Sequence, residues 1–479
     1  MLYCLSHRIM MKKGGAAVGI RRLIGDKAFY RRVFAVMVPV LIQQVITNFV
    51  SLLDNLMVGQ IGTEPMSGVA IVNQLLFVFA LSVFGSLAGP GILTAQFYGA
   101  EDDAGVRHTF RAKLYLALGA VLVFGALLIL RGEALVGLFL HEGEAGLDLD
   151  ATLLHAMDYL HVMLWQMVPF ALVQVYADTL RETGETVLPM KAGLIAVGVN
   201  LVGNYILIFG KLGAPVLGVR GAAIATVLSR FVELTIVAVW THCHTDRCRY
   251  IVGAFRSPYV PGALMKRMAK LGLPLLLNEL LWSSGMTTMN QCFSVRGLEV
   301  VSAENIAMTI ANLFFCAFLS MGTTVSIMVG QLLGAGQTER AVDEDRKLIA
   351  FAVALCTALG AVMAVIAPLV PRLYNTTAPV RRLAVAFIIV NAGMMPVNAF
   401  TNGCYFTLRS GGKTLITFLF DSAFVWCISV PAAFVLCRYT TMPIVPMYLA
   451  VYLLDLIKCV SGYFLVKSKK WVQNLTNVS

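Results

Sequence analysis

Apolar stretches of about 18 or more residues recur along the whole chain, and nothing between them is long enough to fold as a sizeable soluble domain. In hydrocarbon each backbone N–H and C=O must find its partner inside its own segment, so such stretches are read as helices. Only 13% of the 479 residues are charged and the mean hydropathy is +0.78, whereas soluble domains carry roughly 25% charged residues. The pattern predicts an all-α integral membrane protein with twelve spans at 33–58, 67–92, 112–132, 157–179, 187–210, 217–241, 264–292, 302–333, 346–370, 380–407, 413–437 and 443–466.

The net charge of +11 invites a nucleic-acid partner, but its distribution points to the lipid bilayer. The outer connections hold only Arg131, Lys211, Arg220, Arg296, Arg372, Arg381, Arg382 and Arg438. Apart from Arg230 and Lys458 inside spans, the remaining Lys and Arg fall in or beside the inner connections. That asymmetry sets orientation, with both termini cytoplasmic. The N-terminal segment 1–32 has basic residues but no cleavage site of small residues, so no removed signal peptide is expected. The ten cysteines are scattered, mostly within apolar runs, and read as small buried hydrophobes rather than a disulfide framework. The stretch from His242 to Cys248 has metal-binding residue types but no second ligand pair, so it is read as loop.

The segment Leu180-Arg181-Glu182-Thr183-Gly184-Glu185-Thr186 has a near copy 228 residues on, Leu408-Arg409-Ser410-Gly411-Gly412-Lys413-Thr414. At a separation of 235, Pro39 falls on Pro274, Gln96 on Gln331, and Gly99-Ala100 on Gly334-Ala335. Six spans per half make this a parallel repeat, the construction of many transporters. The expected organisation is an N-lobe at 33–241, a cytoplasmic linker at 242–263, a C-lobe at 264–466 and a tail at 467–479. Pro39 and Pro274 are placed near the start of the first helix of each lobe and are read either as marking a helix start at the inner interface or, by removing a hydrogen bond within the helix, as a bend in its axis. Arg181 and Arg409 are read as inner anchors, and Gly184 and Gly412 as residues that permit a tight turn.

A carboxylate in hydrocarbon costs about 2.5–3.5 kcal/mol on insertion scales, so intramembrane acids carry most information. Asp54 closes a stripe of Gln44, Thr47, Ser51 and Asp54, whose spacings of 3, 4 and 3 share one helix face. Such a stripe lines a cavity or meets another polar helix. The corresponding stripe in the seventh span is Glu279, Ser283, Met286 and Asn290, with Glu279 near mid-helix and assigned either a transport role or a structural network. Asp421 is a further intramembrane acid. Arg230 with Glu233, and Asp455 with Lys458, are spaced by three and read as local pairs, while Asp178 lies three residues from Arg181. Asn200 and Asn204 sit one turn apart, and amide and hydroxyl oxygens such as theirs and that of Thr226 suit a small hard cation, while two asparagines at this spacing also serve as hydrogen bonders between helices.

Taken together, Asp54 through Gly62, Gln96 through Ala100, Leu180 through Thr186, Asn200-Leu201-Val202-Gly203-Asn204-Tyr205, Gly221 through Thr226, Gln331 through Ala335 and Leu408 through Thr414 resemble the MATE (multidrug and toxic compound extrusion) transporters. The resemblance covers essentially the full length. It implies two six-helix lobes around a central cleft and export of a small organic compound, cationic or amphiphilic, in exchange for Na⁺ or H⁺. It implies no other cofactor, and a monomer in the inner membrane. It assigns Asp54, Asn200, Asn204 and Thr226 to the cation-coupling site. Some members carry an acid where this chain has Asn204, and NorM-type members have a helix 10 acid where it has Asn398. Gln44, Thr47, Ser51, Glu279, Ser283, Asn290 and Asn398 are the candidate cavity lining. The alternative is a flippase for a lipid-linked sugar precursor on a related fold. Such a protein presents a cationic cavity, whereas here the acids Asp54, Glu279 and Asp421 outnumber unpaired intramembrane bases. No phosphate-binding loop, His-Glu-x-x-His or Gly-x-Ser-x-Gly motif occurs, so neither ATP coupling nor enzymatic catalysis is expected.

Overall fold

The structure, a computed structural model, describes residues 23–140 and 148–476, without the side chains of residues 51 and 52. The basic N-terminal segment therefore lies mostly outside the described residues. Among the described residues, twelve long helices run in chain order. The first half holds α1 (Lys27–Gly59), α2 (Thr63–Gly99), α3 (Asp103–Gly137), α4 (Leu149–Glu182), α5 (Val187–Phe209) and α6 (Gly218–Cys243). The second half holds α7 (Gly262–Ser294), α8 (Leu298–Gly334), α9 (Thr338–Ile366), α10 (Ala378–Ser410), α11 (Thr414–Tyr439) and α12 (Ile444–Lys467). Eleven of them are long and apolar enough to cross a membrane. The exception is α7, where Lys266, Arg267, Lys270, Asn278 and Glu279 interrupt the apolar run.

Local chemistry sets the helix ends. Asp26 Oδ1 accepts from the backbone N–H of Phe29 at 2.7 Å, so α1 begins at Lys27 rather than at 33. As a result Pro39 stands twelve residues inside α1, and Pro274 likewise stands twelve residues inside α7, not near their starts. The repeated motif closes α4 and α10 in the same way. Glu185 N–H donates to Leu180 O (2.8 Å) and Gly184 N–H to Arg181 O (3.0 Å). Lys413 N–H donates to Leu408 O (3.0 Å) and Gly412 N–H to Arg409 O (2.9 Å). Both are Schellman turns with glycine in the left-handed position, φ +89° at Gly184 and +75° at Gly412.

Packing divides the chain into two compact units. One is Pro39–Ser283. The other joins Ser284–Leu475 to the described part of the chain up to Val38. In the second unit the start of α1 lies on α9, through Tyr30 and Phe351 (ring centroids 5.3 Å) and the Arg32–Glu344 ion pair (2.8 Å). In the first unit the start of α7 lies on α2, where a Cβ on Gly89 would come within 2.6 Å of Gly272 Cα. Small residues let membrane helices approach this closely.

The linker is a fixed strap on the first unit. Arg111, 6% exposed, donates to the carbonyls of Gly253, Ala254 and Tyr259 at 2.7, 2.7 and 2.9 Å, and Tyr115 OH donates to Pro258 O at 2.7 Å. In the second unit the segment after α12 folds back likewise. Trp471, 1% exposed, donates from Nε1 to Val466 O (3.0 Å), and Asn474 donates to Gly334 O (3.1 Å).

Candidate functional site

Three helices of the first unit bring Asp54, Asn200, Asn204 and Thr226 together. Gly203 faces Ala225, where any added Cβ would lie 2.9 Å from the alanine methyl, so α5 and α6 pack closely. Thr226 Oγ1 donates back to Ala222 O (3.0 Å), which fixes its rotamer and leaves its oxygen to accept from Asn200 Nδ2 at 3.1 Å. Asn204, one turn along α5, donates from Nδ2 to Asp54 Oδ1 at 2.7 Å and to Asn200 Oδ1 at 3.4 Å. Asn200 and Asn204 are 5% and 1% exposed, and Asp54 is half-buried.

With the amide protons of Asn204 turned to Asp54 and Asn200, its Oδ1 is buried and accepts no hydrogen bond among the described residues. An unsatisfied buried acceptor costs about 1–3 kcal/mol. A carboxylate, two amide oxygens and a hydroxyl are oxygen ligands of the kind a hard cation takes, and the donor-poor Asn204 oxygen is open to it. The residues thus fit either Na⁺ bound by oxygens or a proton on Asp54. On α6, Arg230 holds Glu233 at 2.8 Å, the expected pair, and stands over the Phe170 ring; its charge also reaches Asp54.

Sequence reasoning missed three residues here. Tyr159 OH donates to Asn73 Oδ1 at 3.3 Å within the field of Asp54, and Gln43 Oε1 accepts from Arg181 Nη2 at 2.9 Å. Asn73 carried a signal, as an amide inside the apolar run of α2. Tyr159 carried none.

Of the cavity candidates, Gln44, Thr47, Glu279 and Ser283 belong to the unit that contains Asp54, and Asn290 and Asn398 to the other. Gln44, Glu279, Ser283, Asn290 and Asn398 are half-buried and Thr47 is exposed, while the side chain of Ser51 lies outside the described residues. The two repeated arginines differ in contacts. Arg181 forms an ion pair with Asp178 at 2.7 Å as well as reaching Gln43, whereas Arg409 lies over the Phe406 ring at 5.4 Å.

Further buried charges emerge only in three dimensions. Lys113, fully buried, pairs with Glu182 and donates to Thr179 Oγ1 (3.1 Å); the repeat-related Thr407 donates to the buried Asp345. Equivalent threonines thus serve a cation in one unit and an acid in the other. Lys458, expected to pair with Asp455, lies closer to Asp421, at 3.0 Å against 3.9 Å. In the His242–Cys248 stretch, His242 shares a hydrogen bond with Tyr176 OH (3.2 Å), His244 stacks on Trp240, and Cys248 is buried.

Comparison with known proteins converges on one family. The chain is 25% identical over 407 residues to a probable multidrug resistance protein NorM of Thermotoga maritima, covering 84% of each chain. It is 27% identical over 414 residues to a protein of the same description from Halalkalibacterium halodurans, covering 85% of this chain and 87% of the relative. A solved outward-facing conformation of a multidrug resistance MATE family transporter of the MOP superfamily shares the fold with a TM-score of 0.81 at 20% identity, covering 94% of this chain and 97% of that one. The MatE family model matches twice, at 39–206 and 274–435, and each match begins at one of the two repeat-related prolines, Pro39 and Pro274. Together the two matches take in more than half of a multi-pass, all-helical membrane chain, and the chain belongs to the MatE family.

Proposed function

We propose that this protein is a secondary antiporter that exports small organic compounds, cationic or amphiphilic, in exchange for Na⁺ or H⁺ entering at Asp54. The observation that carries the reading is the hydrogen-bonded set Asp54–Asn204–Asn200–Thr226 with its buried, donor-poor Asn204 oxygen. The names of the relatives support multidrug compounds as cargo rather than a lipid-linked sugar.

Coupling needs only differential affinity. The cation neutralises Asp54 and favours one access state, substrate favours the other, and each shifts the population by the ratio of its affinities for the two. The Asn204 amide orients the carboxylate, and Arg230 is kept from neutralising it by its own partner Glu233. We place both termini in the cytoplasm, on the basic bias of the inner connections, and the protein in the inner membrane as a monomer, on its likeness to the bacterial transporters.

The test is substrate movement in everted vesicles under an imposed Na⁺ gradient or an imposed pH gradient, across a panel of cationic and neutral dyes. One gradient drives wild-type transport, and Asp54→Asn at normal membrane abundance does not respond to it. Full gradient-driven export by Asp54→Asn would reject Asp54 as the coupling residue.

A further inference from the structure

In α12, Tyr448, Tyr452, Asp455 and Lys458 follow at spacings of 4, 3 and 3 and so share a face. In α11 the backbone widens into π-helical turns at Leu419–Ala423 and Val425–Ser429, a distortion that recurs at functional sites in membrane and soluble helices alike. Asp421 lies in the first of these turns and meets Lys458: Nζ stands 3.0 Å from Asp421 Oδ1, 3.9 Å from Asp455 Oδ1 and 5.2 Å from the centre of the Phe424 ring. The Lys458 side chain is 9% exposed and that of Asp455 is 25% exposed. Lys458 precedes the inner end of α12 at Lys467 by nine residues, roughly 13 Å of helix, and Asp455 lies roughly 18 Å from that end. Both are within the span.

One ammonium here faces two carboxylates. It is hydrogen-bonded to Asp421, and Asp455 is left beyond hydrogen-bond distance of it. We propose that Asp455 is a proton-binding site in its own right, separate from Asp54. A proton needs a single carboxylate oxygen, whereas a metal cation needs several, and the place between these two carboxylates is already filled by Nζ. Taking up H⁺ from water converts the Asp455 carboxylate to the acid, and releasing it reverses the step; no other bond changes. The titratable groups that face Asp455 are Lys458, Cys459 and Tyr452 on α12 and Asp421 on α11, with Cys404 of α10 packed behind Gly462 and Glu304 of α8 within electrostatic reach of Tyr452. The inference stands whether or not Asp54 is the coupling residue.

Infrared difference spectroscopy on the purified full-length protein, together with proton counting by titration, reads this directly. The wild type shows a carboxylic-acid C=O band that titrates with pH, and Asp455→Asn loses that band and one bound proton per chain while Asp54→Asn keeps them. Asp421→Asn is the second variant, for the case in which Asp455→Asn folds poorly: the freed ammonium then neutralises Asp455, and the same band and proton are lost. An unchanged band and proton count in the folded variants overturns the proposal. Loss of the band on adding Na⁺ at constant pH overturns it too, in favour of a metal cation.

Discussion

Replacing Asn204 by alanine separates the two coupling ions by the sign of its effect. Asn204 gives Asp54 a hydrogen bond at 2.7 Å and offers the buried Oδ1 that accepts none among the described residues. A hydrogen bond to a charged group contributes about 1.5–3 kcal/mol, and each 1.4 kcal/mol is a factor of ten in affinity. If Na⁺ couples, Asn204→Ala removes a ligand oxygen and loosens the carboxylate, so the Na⁺ concentration for half-maximal export rises roughly 10- to 100-fold. If H⁺ couples, the lost donor had stabilised the ionised carboxylate, so the variant holds its proton more tightly. Half-maximal export then moves upward by roughly one to two pH units. The assay is dye export in everted vesicles at fixed substrate, with Na⁺ or pH titrated and membrane abundance matched by immunoblot. Saturating cation restores the maximal rate in the Na⁺ case. Unchanged half-points in both titrations, at equal abundance, would refute the assignment of Asn204 to the coupling site.

Glu279→Gln is expected to weaken export of cationic dyes more than neutral ones, because a neutral solute never drew on its charge; equal losses point to a structural role. Glu101 (φ +56°) and the repeat-related Gly336 (φ +72°) occupy the same left-handed turn position, and nothing lies near a Cβ added at Gly336. Since that conformation costs a non-glycine residue about 1 kcal/mol, Gly336→Ala lowers and Glu101→Gly raises the thermal midpoint in detergent, and shifts of the opposite sign rule the argument out. Trp471→Ala empties a fully buried site in the second unit, which costs about 3–5 kcal/mol; a midpoint equal to wild type would show that the tail does not hold the unit.

The twelve helices, the internal repeat and the turn glycines were legible in the chain because each rests on short-range chemistry: apolar length, spacing, and a φ that only glycine adopts easily. The local pair Arg230–Glu233 was legible for the same reason, since residues three apart on a helix share a face. The convergence of Asp54 with Asn200, Asn204 and Thr226 came through family resemblance, because its bond between Asp54 and Asn204 joins residues 150 positions apart that no spacing rule relates. Tertiary structure alone decided that Lys458 prefers Asp421 over its own-helix neighbour, that Lys113 is buried against Glu182, and that the linker is strapped down by Arg111. It also decided that the start of α1 packs with the second half of the chain. Those outcomes depend on the rotation and approach of neighbouring helices, which side-chain volumes set jointly across the fold, and a one-dimensional pattern carries the face of each helix but not the helix it will meet.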